Sequence, residues 1–370
     1  MTERVEDARV GDQSFTRILD HASVRAAARD WDTFTSATPF RVPIPEESDV
    51  RPVRQVPIEF DPPEHGAFRR IVEPRFSRAA AQTHRRGVAE VVESAVSTAL
   101  DTGTLAVVDD LALPVVSQAL AATLGHPADR DRLASWGLHV FTDPETGRRR
   151  RNEDLDTYLA ERVDQALTDP GDDLFGDLAQ ASIDGRPLTR DELLGYGYLV
   201  LAGGRDTVIA SIAGALAHLA AHPHDHARLR DEPDLIPTAV EEFVRVVSPL
   251  GEIGRTVATP TTLGDTALVP GDLVSLCFAS ANHDPTVFDA PDECRLDRRP
   301  NRHLGFGHGP HTCLGAPLAR MELAVVLEVF TRRVGSATRL DQPVSTPSAA
   351  GSTHADVPTG LRLGVRPVPL

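Results

Sequence analysis

Along most of this chain apolar residues return every three or four positions, and in a few short runs they alternate with polar ones. That mixture predicts a mainly α protein with small β-sheets attached. Helical spacing marks 22–29, 111–124, 130–141, 155–167, 235–247 and 316–334, the last with Pro317 in its first turn, where a missing N–H does no harm. Strand-like runs are short and gathered late, at 254–258, 262–263, 267–269, 273–278 and 361–365.

Two further helix starts are signalled by their caps. Thr189 and Glu192 have the spacing of a capping box and Pro223 closes the pattern, so one helix is expected over 190–222. At about 1.5 Å per residue it would be roughly 50 Å long and cross the whole molecule. Its stretch 193–221 is the one run that resembles a membrane span, but Arg205 and Asp206 at its middle would be costly in hydrocarbon, so a buried soluble helix is expected. Asp61-Pro62-Pro63-Glu64 reads as an acidic N-cap with prolines in the first turn, opening a helix to about Phe76 that carries His65 and Arg69 four apart on one face.

Composition narrows the function classes. The 370 residues carry a net charge of -16, which disfavours sequence-independent nucleic-acid binding. The first twenty residues are charged throughout and lack the apolar core of a secretory signal, so a cytoplasmic protein is expected. There is no internal repeat, and the Pro- and Ser-rich run 342–353 is too short to divide domains, so 1–370 is read as one catalytic unit. Cys277, Cys294 and Cys313 form no CxxC pair, which argues against a disulfide scaffold or structural zinc and leaves any thiol chemistry to a single residue.

The most informative segment is Phe306-Gly307-His308-Gly309-Pro310-His311-Thr312-Cys313-Leu314-Gly315. Glycines on both sides of Cys313 would let backbone approach something flat and bulky, and a helix starting just beyond would favour the thiolate through its free N–H groups. This segment resembles the iron-binding loop of the cytochrome P-450 superfamily at every fixed position. The resemblance implies the fold of that family, with a long central helix over a haem b cofactor, and Cys313 as the axial ligand and sole protein ligand of its iron, donating electron density that favours O–O cleavage.

Other residues carry the same resemblance. Glu242 and Arg245 reproduce the family's Glu-x-x-Arg, which implies a structural pair locking its helix to the segment 295–300. Gly203-Gly204-Arg205-Asp206-Thr207-Val208 is similar to the oxygen-activating motif of the central helix; the likeness implies that Thr207 donates a hydrogen bond at the reacting oxygen and that Asp206 passes protons inward. Four residues match family contacts to the haem propionates: His65, Arg69, Arg255 and His311. His303 is a lesser candidate, placed to touch the cofactor edge or to shape the loop.

The correspondence runs continuously over 51–365, while at the N-terminus few elements are expected ahead of 22–29. Pocket walls are expected from 37–55, 141–151, 202–207 and 249–254, with Glu252 as a possible contact for a basic or hydroxylated substrate. His222, His224 and His226 read as an exposed turn rather than a metal cluster, and 148–151 as a solvated loop. The resemblance implies a bacterial monooxygenase, expected as a monomer, that takes electrons from a separate ferredoxin and ferredoxin reductase and uses dioxygen to hydroxylate or otherwise oxidise a small organic substrate in secondary metabolism or catabolism. Two other readings stay open: a peroxide-using or radical-coupling enzyme on the same scaffold, and a haem protein that binds a small molecule without turnover.

Overall fold

Capping decides where many of the helices begin. Asp20, Ser77, Asn152, Asp173 and Thr189 each accept a hydrogen bond from a first-turn N–H, and Thr189 completes the expected capping box with Glu192. The structure, a computed structural model, describes residues 5–10, 13–38, 52–137, 151–340 and 360–369. Its helices are α1 (His21–Ala27), α2 (Glu64–Val72), α3 (Arg78–Thr102), α4 (Leu113–Leu124), α5 (Arg130–Ser135), α6 (Glu153–Thr168), α7 (Leu174–Gln180), α8 (Arg190–Gly203), α9 (Asp206–Ala221), α10 (Pro223–Asp231), α11 (Ile236–Val247), α12 (Phe278–Asn282) and α13 (Ala316–Arg333).

The main core lies among α3, α4, α9 and α13, where Val88, Val92 and Val96 meet a layer that includes Ile209, Ile212, Leu216, Leu323, Val326 and Phe330. A second apolar cluster, with Ile18, Val24, Phe34, Val274, Leu276 and Leu304, lies against a five-stranded sheet. That sheet runs in the order β1 (Val5–Val10), β2 (Gln13–Ile18), β10 (Leu273–Leu276), β7 (Ile253–Val257), β3 (Phe34–Thr35). Only the β2/β10 pair is parallel, and Arg255 of β7 sits opposite Val274 of β10. A smaller sheet orders β11 (Val334–Arg339), β12 (Arg362–Pro367) and β4 (Thr104–Ala106); two hairpins pair β5 (Ser182–Ile183) with β6 (Arg186–Pro187) and β8 (Thr261–Leu263) with β9 (Thr266–Leu268).

Several expectations need correction. The helix expected over 190–222 is two helices, α8 and α9, broken at Gly204 and Arg205. The longest described helix is instead α3, 25 residues, whose buried face is mostly alanine and valine on a mildly polar background and so gives little contrast in sequence. Two strands, β1 and β2, precede α1, held there by pairing with β10 from far along the chain. A second stretch, Val107–Leu124, is also long and apolar enough to cross a membrane, but 72% of it is buried in this fold, against 56% of an 18-residue window within Arg190–Ala221. Asp61 does not cap α2: the cap residue is Pro63, and the Asp61 carboxylate turns to the chain at 35–36.

Candidate functional site: the cysteine loop and its cationic neighbour

The loop from Leu304 to Gly315 is folded by its own backbone. Gly307 N–H donates to the Leu304 carbonyl at 2.8 Å, and Cys313 N–H to the Phe306 carbonyl at 2.7 Å. Gly309 has φ +74°, and a Cβ there would lie 2.4 Å from the Ala28 carbonyl, so this glycine answers to the end of α1 as well as to any cofactor. At Gly315 a Cβ would stand 4.0 Å from the Cys313 sulfur.

Cys313 is accessible yet set deep among protein atoms. That enclosure raises its thiol pKa above the ordinary value, while N–H groups of Gly315 and Ala316 at the start of α13, with the charges of Arg69 and Arg320, pull the other way. The helix start does favour the thiolate as its position suggested, but enclosure outweighs it.

Behind the loop, Arg320 of α13 lies 4.3 Å over the Phe306 ring and donates to Glu241 at 2.6 and 2.8 Å. His303 approaches the same carboxylate at 3.0 Å and accepts from Gly305 N–H at 3.1 Å, which makes it a loop-shaping residue. Burial opposes ionisation of Glu241, but Arg320 and His303 hold its carboxyl down to about 2.

Beside the loop the fold gathers His65 and Arg69 from α2, Arg255 from β7 and His311. The rings of His65 and His311 are 4.3 Å apart, and Arg69 donates to the Thr312 carbonyl at 2.7 Å. His311 Nε2 lies 3.3 Å from Ser36 Oγ and 4.0 Å from Asp61; its Nδ1 is buried with no partner among the described residues. Arg255 is buried and donates to the Gly254 carbonyl at 2.7 Å. Asp61 already accepts from Ser36 N–H at 2.9 Å and from the Thr35 hydroxyl.

The electrostatics record this shortage of anions. Desolvation, then Arg255, His65 and Arg69, push His311 down to about 2; desolvation and Arg69 push His65 down to about 4; burial lowers Arg255 to about 10. A group bearing carboxylates would relieve all three, and an orphaned ring nitrogen waits for an acceptor or donor. The residues therefore fit a cofactor that pairs a cysteine-binding metal with acidic side arms.

Asp206 and Thr207 are placed by a different element, the break between α8 and α9. Thr207 Oγ1 donates to the Gly203 carbonyl at 2.8 Å. A Cβ on Gly203 would meet nothing within 4 Å, whereas one on Gly204 would lie 2.8 Å from the Val200 carbonyl and 2.9 Å from Leu120. Gly204 is thus required by packing and Gly203 is not.

Away from the loop, Glu242 and Arg245 are fully buried and paired at 2.8 Å. Arg298 Nε, Arg295 N–H and Asn301 donate to Glu242 at 3.0, 2.8 and 3.1 Å, while Arg245 donates to the carbonyls of Asn282, Pro291 and Glu293. This is the lock onto 295–300 that the sequence implied.

Glu252, read from sequence as a contact for substrate or else as facing solvent, is instead buried and bonded within the sheet. Arg17 grips it at 3.1 and 3.0 Å and the Ser275 hydroxyl donates at 2.6 Å, because β7, β10 and β2 are neighbours in one sheet. Of the histidines after the central helix, His222 and His224 are exposed as expected, but Pro223 opens α10 there instead of a turn, His222 stacks on His218 at 4.0 Å, and His226 is buried. Most of the expected walls at 37–55 and 141–151 lie outside the described residues. Sequence reading missed Ser36, Asp61, Glu241 and Arg320 as partners of the site; it also missed Glu322, nine residues past Cys313, buried with one carboxylate oxygen unpartnered among the described residues and its pKa raised by desolvation. Only an acid inside an apolar helical stripe could have flagged the last.

Comparison with known proteins places these features. The family model "Cytochrome P450" matches residues 141–334. Cyclomarin C epoxidase CymV of Salinispora arenicola is 34% identical over 83% of this chain and 79% of its own, and erythromycin C-12 hydroxylase of Saccharopolyspora erythraea 32% over 87% and 82%. A solved structure described as that of a carbohydrate active P450 superposes with a TM-score of 0.89 at 36% identity, covering 98% of this chain and 95% of that one. On the loop, the fold and these likenesses together, the chain belongs to the cytochrome P450 family and is a monooxygenase whose cofactor is haem b.

Proposed function

We propose that Cys313 is the axial thiolate of the haem iron and that His65, Arg69, Arg255 and His311 hold the two haem carboxylates. The observation that carries this is two arginines, Arg69 and Arg255, that donate only to carbonyls among the described residues, set with two pKa-depressed histidines beside an accessible cysteine, while the Asp61 carboxylate is already bonded to 35–36. When bound, haem supplies the activation of dioxygen and the oxidation of a C–H or C=C group. The protein orients it; the Thr207 hydroxyl, which here donates to the Gly203 carbonyl, turns to donate at the reacting oxygen, and Asp206 moves protons inward. The half-buried position of these two at an interrupted helix supports that division of labour.

The chain acts as one catalytic unit in the cytoplasm, with electrons from a ferredoxin and its reductase, on a small organic molecule. Among substrate classes, sugars are the first to test, because the likeness to the carbohydrate active P450 covers nearly the whole chain. An absorbance titration of the haem band with monosaccharides and with erythromycin decides between them, and no response to any sugar removes that class. For the ligand itself, the reduced protein with carbon monoxide is compared with Cys313→His. A thiolate ligand predicts that the characteristic band is present in the first and lost in the second; identical spectra would sink the assignment.

A further inference from the structure

Arg205 is among the largest fully buried side chains of the protein, 1% exposed, and it precedes Asp206 directly. Its guanidinium donates from Nη1 to the Leu133 carbonyl at 2.7 Å, from Nε to the Gly137 carbonyl at 3.1 Å, and from Nη2 to Gly137 again. Leu133 belongs to the last turn of α5, where a helix leaves its last carbonyls without N–H partners, and Gly137 lies just past its end. Desolvation lowers the Arg205 pKa to about 10, with Asp206 opposing, so the group stays charged at neutral pH. A buried cation needs such acceptors, and two carbonyls spaced for a planar fork supply them.

The backbone breaks at this same residue. Arg205 has φ -108° and ψ -77° and forms the N-cap of α9. Gly204 N–H still reaches the Val200 carbonyl at 3.0 Å, but Val208 and Ile209 both donate to the carbonyl of Arg205, at 3.2 and 3.1 Å. The residue is therefore anchored twice, its side chain on α5 and its carbonyl as the first acceptor of α9. The Thr207 hydroxyl spans the break back to Gly203.

We propose that Arg205 is a positioning residue for Asp206 and Thr207: by tying the break to the end of α5 it keeps the central helix open at the place where the Thr207 hydroxyl is presented. The inference rests on the role proposed for Asp206 and Thr207. The competing account is that Gly203 and Gly204 open the helix by themselves and that Arg205 only glues α5 in place.

Hydrogen exchange on the haem-loaded protein separates the two, comparing wild type with Arg205→Leu and Arg205→Lys. In Arg205→Leu the segment 130–137 should exchange about tenfold faster, equivalent to about 1.4 kcal/mol, while 204–209 exchanges about tenfold slower as the helix closes. The infrared C–O stretch of the carbon monoxide complex should shift with it. Arg205→Lys, which keeps the charge but not the fork, should lie between. If 130–137 loosens while 204–209 and the C–O stretch stay at wild-type values, or if 204–209 also speeds up, the positioning role is overturned. Should Arg205→Leu fail to fold, the same readings on Arg205→Lys decide, since it too must alter 204–209. The role of Thr207 is judged separately, by the yield of oxidised product per electron consumed in Thr207→Ala, so failure of that reading shows without any change in exchange.

Discussion

Two of the charge clusters in the described residues differ in one respect: that around Glu242 balances, and that around His311 does not. Around Glu242 and Arg245 every cation has a carboxylate or carbonyl to donate to, and Glu242 is bonded by Arg245, Arg298, Arg295 and Asn301. Around His65, Arg69, Arg255 and His311 the two arginines donate, among the described residues, to carbonyls and to no carboxylate, two histidines are held far below their ordinary pKa, and one ring nitrogen has no described partner. Both sets lie on the same kinds of elements, so sequence context does not tell them apart. The difference teaches that a satisfied buried network serves the fold, whereas an unsatisfied one stores a demand that a ligand meets.

The sharpest way to break that comparison is at the cysteine itself. Cys313→Ser should abolish the thiolate haem spectrum while the haem-free fold keeps its helical circular dichroism. Next in size is the balanced cluster: Glu242→Ala leaves Arg245 and Arg298 buried without their carboxylate and should cost about 3–5 kcal/mol or prevent soluble expression, read by denaturant unfolding. The unbalanced cluster should respond with the opposite sign. Arg255→Ala should weaken haem binding by about ten- to a hundredfold, roughly 1.4–2.8 kcal/mol, yet leave the haem-free protein as stable as wild type or more so. Equal destabilisation of the haem-free protein by both substitutions would erase the distinction.

A smaller effect comes from pH. His65 has its pKa pushed from 6.5 down to about 4 in the folded protein, so as pH falls the unfolded chain takes up the proton first. Stability of the haem-free protein should therefore fall between pH 6.5 and pH 4, by at most about 1.4 kcal/mol per pH unit for this group. His65→Gln should flatten that slope, and haem loading should flatten it too, since its carboxylates favour the charged ring. The smallest change is expected at Gly203→Ala, within about 0.5 kcal/mol of wild type, against a loss of about 1–3 kcal/mol for Gly204→Ala, whose new methyl meets backbone.

Much of this was readable in the chain. The loop Phe306 to Gly315, the Glu242 and Arg245 spacing and the capping box at Thr189 are local patterns, and local patterns survive into the fold because they depend on residues that cannot move apart. Glu252 misled because its exposure looked free from sequence, while the sheet had already brought Arg17 to it across 235 positions. The central helix misled for a similar reason. Its periodicity and caps ask for one element, and the break is set at Arg205 by acceptors on α5 that no window of sequence contains.

The sequence by itself determined the class of the fold, the cysteine proposed as ligand and the identity of the groups proposed to hold an acidic cofactor, because periodicity, capping and short motifs act within a few turns of chain. Only the tertiary structure decided which charges found partners, since burial and desolvation depend on what other elements bring to the same place. It paired Glu241 with Arg320, tied Asp61 to 35–36, opened the helix at Arg205, and left His311 beside Arg255 with its ring nitrogen waiting.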